Sequence, residues 1–184
     1  MNRALYIFNP WHDLALANGD PNFNAPRSAL QFENDCCEIP LWYAGTESLV
    51  FCNKDLEQWL DKIKHIFPQL STIELTDNIE NQTFRTICPW GWDDAIKNKL
   101  ISFGLNSEIF LQQDRLTKIR ELSNRTLAIV GLQYLIKNIG FLDCFPNTPI
   151  ILTNIDEVVD FANKNAGIIF KAPFPLPDQG ALKI

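Results

Sequence analysis

The sequence predicts an α/β protein: a small Rossmann-like parallel sheet with helices on both faces over residues 1–110, then helices and a strand–helix–strand unit over 111–184. Three observations lead there. The apolar runs Ala4–Phe8 and Leu49–Cys52 are continuous rather than alternating, as in strands buried on both faces, and Thr83–Cys88 reads as a further strand. Helix-period stretches separate them. The charge also shifts along the chain: residues 1–110 carry eight basic and fifteen acidic side chains (−7), residues 111–184 eight and seven (+1), which sets a boundary near 110.

Taken in order, the first strand is Ala4–Phe8, closed by Asn9-Pro10, and a helix of modest pattern follows over 26–37. Leu49–Cys52 leads into the plainest helix, 53–67. There Leu56, Trp59, Leu60, Ile63, Ile66 and Phe67 share one face, Asn53 offers a cap and Pro68 a stop. A weaker strand lies at Thr72–Leu75. After Thr83–Cys88 and Pro89-Trp90-Gly91-Trp92, a helix runs from Asp93 to Phe103, with Asp93 and Asp94 at the positive end of its dipole and Gly104 as its stop.

Two helices are expected at 112–122 and 124–138, the second burying Leu127, Val130, Tyr134 and Leu135. The closing unit reads as strand Pro149–Leu152, helix Asn154–Lys164 and strand Gly167–Phe170. Ile155, Val158, Val159 and Ala162 form its helix's apolar face.

Counting excludes several functions. The eight glycines are never closer than nine residues, so neither a dinucleotide fingerprint nor a P-loop exists. A net charge of −6 disfavours a nucleic-acid-binding surface. No apolar run approaches the ~20 residues of a membrane span, and the start is no signal peptide, so a cytoplasmic, soluble chain is expected. Five cysteines (36, 37, 52, 88, 144) form no CxxC pair, and with only His12 and His65 no zinc-ligand spacing appears; no metal site is expected. Cys52 and Cys88 read as buried free thiols, and the adjacent Cys36 and Cys37 are awkward to bridge. The sequons at Asn81 and Asn124 have no meaning without secretion.

Ligands of open parallel sheets bind beyond the carboxyl ends of the strands. Asn9-Pro10-Trp11-His12-Asp13, continuing to Arg27, occupies that place for the first strand, and Trp90, Trp92 and Asp93 occupy it for the strand ending at Cys88. On this reading Asn9, His12, Asp13, Arg27, Trp90, Trp92 and Asp93 face a shared small-molecule pocket. His12 is its proton donor or acceptor, Asp13 and Asp93 are anchors, and the tryptophans are apolar walls. The competing reading makes Asp13 a helix cap and the tryptophans core residues. No catalytic residue is nominated.

Leu116–Arg125, Pro149–Leu152, Asp156–Phe161 and Ile168-Ile-Phe-Lys-Ala-Pro173 together resemble the entry into an ATP-grasp domain. Phe8-Asn-Pro-Trp-His-Asp-Leu-Ala-Leu-Ala-Asn-Gly-Asp20 resembles the opening of an uncharacterised bacterial ATP-grasp-like family. The resemblance implies a Rossmann-like pre-ATP-grasp domain followed by an incomplete nucleotide-binding half. In it Lys171 matches the strand-end lysine that contacts nucleotide phosphates. ATP-grasp enzymes activate a carboxylate as an acyl phosphate and join it to an amine or thiol.

Phe174-Pro-Leu-Pro-Asp-Gln-Gly180 replaces the expected flexible loop, and the second half with its magnesium ligands has no counterpart. The expectation is therefore a protein without catalysis or cofactor of its own, retaining a small-molecule pocket. ATP and Mg would enter only where another chain completes the site, as a ligase-like subunit. The other alternative is an interaction module that self-associates, or recruits a second chain, through its C-terminal sheet edge.

Overall fold

The computed structural model describes residues 3–80, 82–139, 149–174 and 181–183. The chain divides into two compact units, residues 1–116 and 117–184. The first is α/β, and its order of elements is β1 (Ala4–Ile7), α1 (His12–Asn18), α2 (Arg27–Asp35), β2 (Leu49–Phe51), α3 (Glu57–Ile66), β3 (Glu74–Thr76), β4 (Thr86–Pro89) and α4 (Asp94–Ser102). A short 3-10 turn, Ile39–Trp42, lies between α2 and β2.

The four strands form one sheet in the order β3-β2-β1-β4, every pair parallel. Register explains the continuous apolar runs. Leu5 lies opposite Leu49 on one side and Ile87 on the other, whereas Tyr6 lies opposite Val50, which lies opposite Leu75. Alternate residues of each strand therefore meet different layers. Leu5, Ile7, Leu49 and Ile87 pack with Ala15 of α1 and Ala95, Ile96 and Leu100 of α4. Val50, with Tyr6 and Leu75, packs with Leu41 of the 3-10 turn, Leu60 of α3, Leu70 and Ile73. Helices on both faces of a parallel sheet are what the apolar runs predict.

Boundaries depart from expectation where tertiary bonds decide them. The helix expected from Asn53 starts at Glu57, with Leu56 at its cap and no side-chain capping bond. Cys52 is the cause: its backbone N–H donates to Thr76 O at 2.9 Å, so the chain stays extended one residue past β2 and needs residues 53–56 to turn. On α3, Leu60 is buried but Ile66 is 66% exposed. The strand expected at Thr83 begins only at Thr86, where Ala4 offers a partner. Asp93 does cap α4: its Oδ1 accepts from Ile96 N at 2.8 Å.

The helix α5 (Gln113–Leu122) crosses the division, and its Leu116 is buried in the first unit. The second unit contains α6 (Arg125–Ile139), α7 (Ile155–Lys164) and the antiparallel pair β5 (Ile169–Lys171) and β6 (Ala181–Lys183). Arg125 ties α6 to the segment after β5, its N–H donating to Pro173 O at 2.8 Å and its guanidinium to Ala172 O at 2.9 Å.

Asn154 caps α7 by accepting from Glu157 N at 2.9 Å. Glu157 reaches back to the Thr153 N–H and hydroxyl, a reciprocal cap that holds its carboxyl below the usual range. Three expectations fail here. No strand forms over Pro149–Leu152, because no described strand pairs with it, and Ile150 and Ile151 are exposed. Leu127, Val130, Tyr134 and Leu135 are exposed and only Ile136 is buried, since no described element covers that stripe. On α7, Ile155 and Val159 are likewise exposed.

Candidate functional site

Because β1 and β4 are parallel neighbours, the loops that follow them leave the same edge of the sheet. Trp90 N–H donates to Ile7 O at 2.7 Å, extending the ladder one rung past the strands. Asn9 makes the next rung with its side chain. Its Nδ2 donates to Gly91 O at 2.8 Å and its Oδ1 accepts from Gly91 N at 3.2 Å, so one amide pairs with both polar groups of a glycine 82 residues away. Asn9 is fully buried. It positions the loop and presents nothing to a ligand.

His12 opens α1 and lies over Gly91, whose missing side chain makes the room: a Cβ there would stand 2.1 Å from His12 Cδ2. Its Nδ1 is 3.0 Å from Asp93 Oδ2. Asp93 therefore uses one oxygen on the imidazole and the other on the first turn of α4, with 2% of its side chain exposed against 14% for His12. A carboxylate on Nδ1 fixes the ring and its tautomer, leaving Nε2 as the atom able to exchange a proton. Asp93→Ala removes a cap and the histidine's partner together. A loss of about 1–2 kcal/mol in urea unfolding is expected.

The other nominated residues do not join this joint. Asp13, the competing helix cap, lies exposed in the first turn of α1, where Trp11 holds the cap position without a capping side-chain bond. Arg27 is exposed at the start of α2. Trp92 is half-buried against the core, its ring 6.2 Å from Phe110. Trp90 is 56% exposed, in edge contact with Phe8 at 5.5 Å and near Tyr43 at 6.2 Å. Lys171 is exposed on β5 in the second unit.

Two cavities of the first unit have other linings, and none of the nominated residues lines either. One, of about 310 Å³, has Phe8, Leu30, Phe51 and Phe103 as apolar walls, with Asn34 and Asn53 and the charged pair Glu33 and Lys99. Glu33 accepts from Trp11 Nε1 at 2.9 Å and from Lys99 Nζ at 3.2 Å, and Lys99 lies 5.7 Å from the Trp11 ring centre. The second, of about 390 Å³, shares Phe51 and Phe103 and is acidic, with Asp77 and Glu80 after β3. Glu33 and Lys99 are 66 residues apart, and no local pattern announces their meeting.

Cysteine pairing also departs from expectation. Cys52 is bonded to Cys37 as a disulfide, at a sequence separation of 15. The crossing of the chain from α2 to β2 brings them together, and Cys37 also lines the smaller cavity. Cys36 and Cys88 are free, and Cys144 lies outside the described residues. Burial pushes the Cys88 thiol up, against a smaller opposing pull from its hydrogen bond with Tyr6. Thiolate is the reactive form, so alkylation of Cys88 at pH 8 should be slow. Its rate should still be climbing well above pH 9, as a pH series of iodoacetamide labelling read by mass spectrometry will show.

No helix among the described residues is long and apolar enough to cross a membrane. No protein-family model, curated protein or solved structure matches the chain.

Proposed function

We propose that the first unit binds a small organic acid with an apolar body in the 310 Å³ cleft at the carboxyl edge of its sheet. The supporting observation is the pairing of Lys99 with Glu33 beside the apolar wall of Phe8, Leu30, Phe51 and Phe103. A ligand carboxylate takes Glu33's place on Lys99 while Trp11 Nε1 keeps Glu33 hydrogen-bonded, and Phe8, Phe51 and Phe103 cover the ligand's body. His12 and Asp93 hold the adjoining loops in place and exchange a proton only if a ligand reaches Nε2.

A carboxylate is also the group that ATP-grasp ligases activate, which agrees with the resemblance of the opening motif. On that reading the second unit begins the nucleotide half, with Lys171 exposed at the end of β5 for a phosphate. The chain alone holds the acid and does not ligate it.

Ligand-observed NMR with a panel of short aliphatic and aromatic carboxylic acids tests the cleft. Binding by the wild type, lost in both Lys99→Ala and Leu30→Trp, is expected. Binding that survives both substitutions overturns the assignment. Calorimetry with Mg-ATP tests the second part: micromolar affinity in the isolated chain would contradict an incomplete nucleotide site.

A further inference from the structure

Cys37, Glu38 and Cys52 form a cluster whose two sulfurs and one carboxylate oxygen all lie within 4.8 Å of one another. Both cysteines are over nine-tenths buried, and the Glu38 side chain is 27% exposed. We propose that, when the Cys37–Cys52 pair is reduced, these three residues bind a thiophilic divalent cation, with Zn²⁺ the best fit.

The donor set supports this. Zinc takes thiolate sulfur at about 2.3 Å and carboxylate oxygen at about 2.0–2.2 Å, so the donors around one tetrahedral ion stand roughly 3.5–4 Å apart. Reduction lets the two bonded sulfurs part to that spacing, while a carboxylate oxygen within 4.8 Å of them closes onto the ion by a small side-chain movement. Charge supports it as well. Two thiolates and a carboxylate around a divalent ion leave one negative charge in a largely buried place. Lys54 Nζ lies 3.4 Å from Glu38 Oε2 and donates to the Asp35 carbonyl, so the balancing positive charge is held beside the site.

The backbone is fixed on both sides. Cys52 N–H is bonded to Thr76 O, and Ile39 N–H to Cys36 O at 3.0 Å around the turn that carries Cys37 and Glu38. Three protein donors leave the fourth tetrahedral position to water, the open arrangement of reactive rather than purely structural zinc sites. Cys37 lines the 310 Å³ cavity, so the ion would stand at that cavity's wall.

The redox balance is simple. An external dithiol gives two electrons and two protons to the disulfide and leaves as its own disulfide, producing the thiols of Cys37 and Cys52. Zn²⁺ then displaces both protons to solvent. The site therefore exists in one oxidation state and vanishes in the other. This proposal does not depend on which molecule occupies the cavity.

The test is a cobalt titration of the whole chain, reduced with a phosphine (which leaves as its oxide) and desalted without oxygen. One equivalent of Co²⁺ should produce sulfur-to-cobalt charge-transfer absorption in the near ultraviolet, bleached by Zn²⁺. The oxidised wild type should give none, a comparison that requires no substitution. Cys37→Ser and Cys52→Ser should each abolish the band and Cys88→Ser should keep it. Glu38→Gln and Lys54→Met should weaken binding, each by roughly tenfold or more. A reduced wild type with its thiols counted and no band overturns the proposal, as does a band that persists in Cys52→Ser.

Discussion

Replacing Gly91 with alanine is expected to destabilise the first unit by about 3 kcal/mol, the upper part of the range for overpacking a filled site. The new methyl group would stand 2.1 Å from His12 Cδ2 and 2.2 Å from Cγ, so the whole ring is in the way and not merely a flexible tip. The ring cannot turn aside freely, because Asp93 holds its Nδ1 and α1 holds its backbone. Gly91 cannot retreat either, since Asn9 bonds both its N–H and its C=O. Urea unfolding measures the loss. The double variant His12→Ala/Gly91→Ala should recover most of it, because the collision partner is gone. A double variant as unstable as the sum of the two single ones would show that the imidazole does not occupy that space.

Asn9→Leu is expected to cost a similar amount, about 3 kcal/mol, by a different route. Leucine fills the volume but leaves the Gly91 N–H and C=O without partners beside a fully buried residue. Each orphaned group carries a penalty of about 1–3 kcal/mol. Asn9→Ala, which leaves room for a water molecule to bridge, should cost less than Asn9→Leu although it removes more atoms. A larger loss for alanine than for leucine would mean that packing, not hydrogen bonding, is Asn9's contribution.

The two loops that meet in these predictions were legible in the sequence, and the use each residue has there was not. The apolar runs at residues 4–8 and 49–52 identify strands buried on both faces, and the parallel sheet follows from them. Polar residues after each strand then mark the carboxyl edge of the sheet. His12 and Asp93 do come together there, yet Asn9 is spent on Gly91 and Trp92 on Phe110. Asparagine and tryptophan are equally common in pockets and in tight corners, so residue type alone could not separate the two uses.

The cavity was missed for another reason. Glu33 and Lys99 each lie in the last turn of a helix, in patterns indistinguishable from solvated faces. Only the packing of α4 against the strands gives them each other. The Cys37–Cys52 bond was missed because counting cysteines reports number and spacing, whereas bridging depends on where a helix ends relative to a strand. Segments with few tertiary partners read worst. The run at 149–152 has a strand's composition and, among the described residues, no strand to pair with, and the stripe on α6 has a buried helix's period and no described element over it.

The strand order carries a consequence for how the protein comes to exist. β4 enters beside β1 only after the chain has laid down β2 and β3 on the opposite flank, so His12 waits 81 residues for Asp93. Such distant pairings form slowly and late. During synthesis the amino-terminal half therefore leaves the ribosome before the side chains of Asn9 and His12 have their partners, which arrive with β4. Closure of these two side-chain contacts thus reports that the four-stranded sheet is complete.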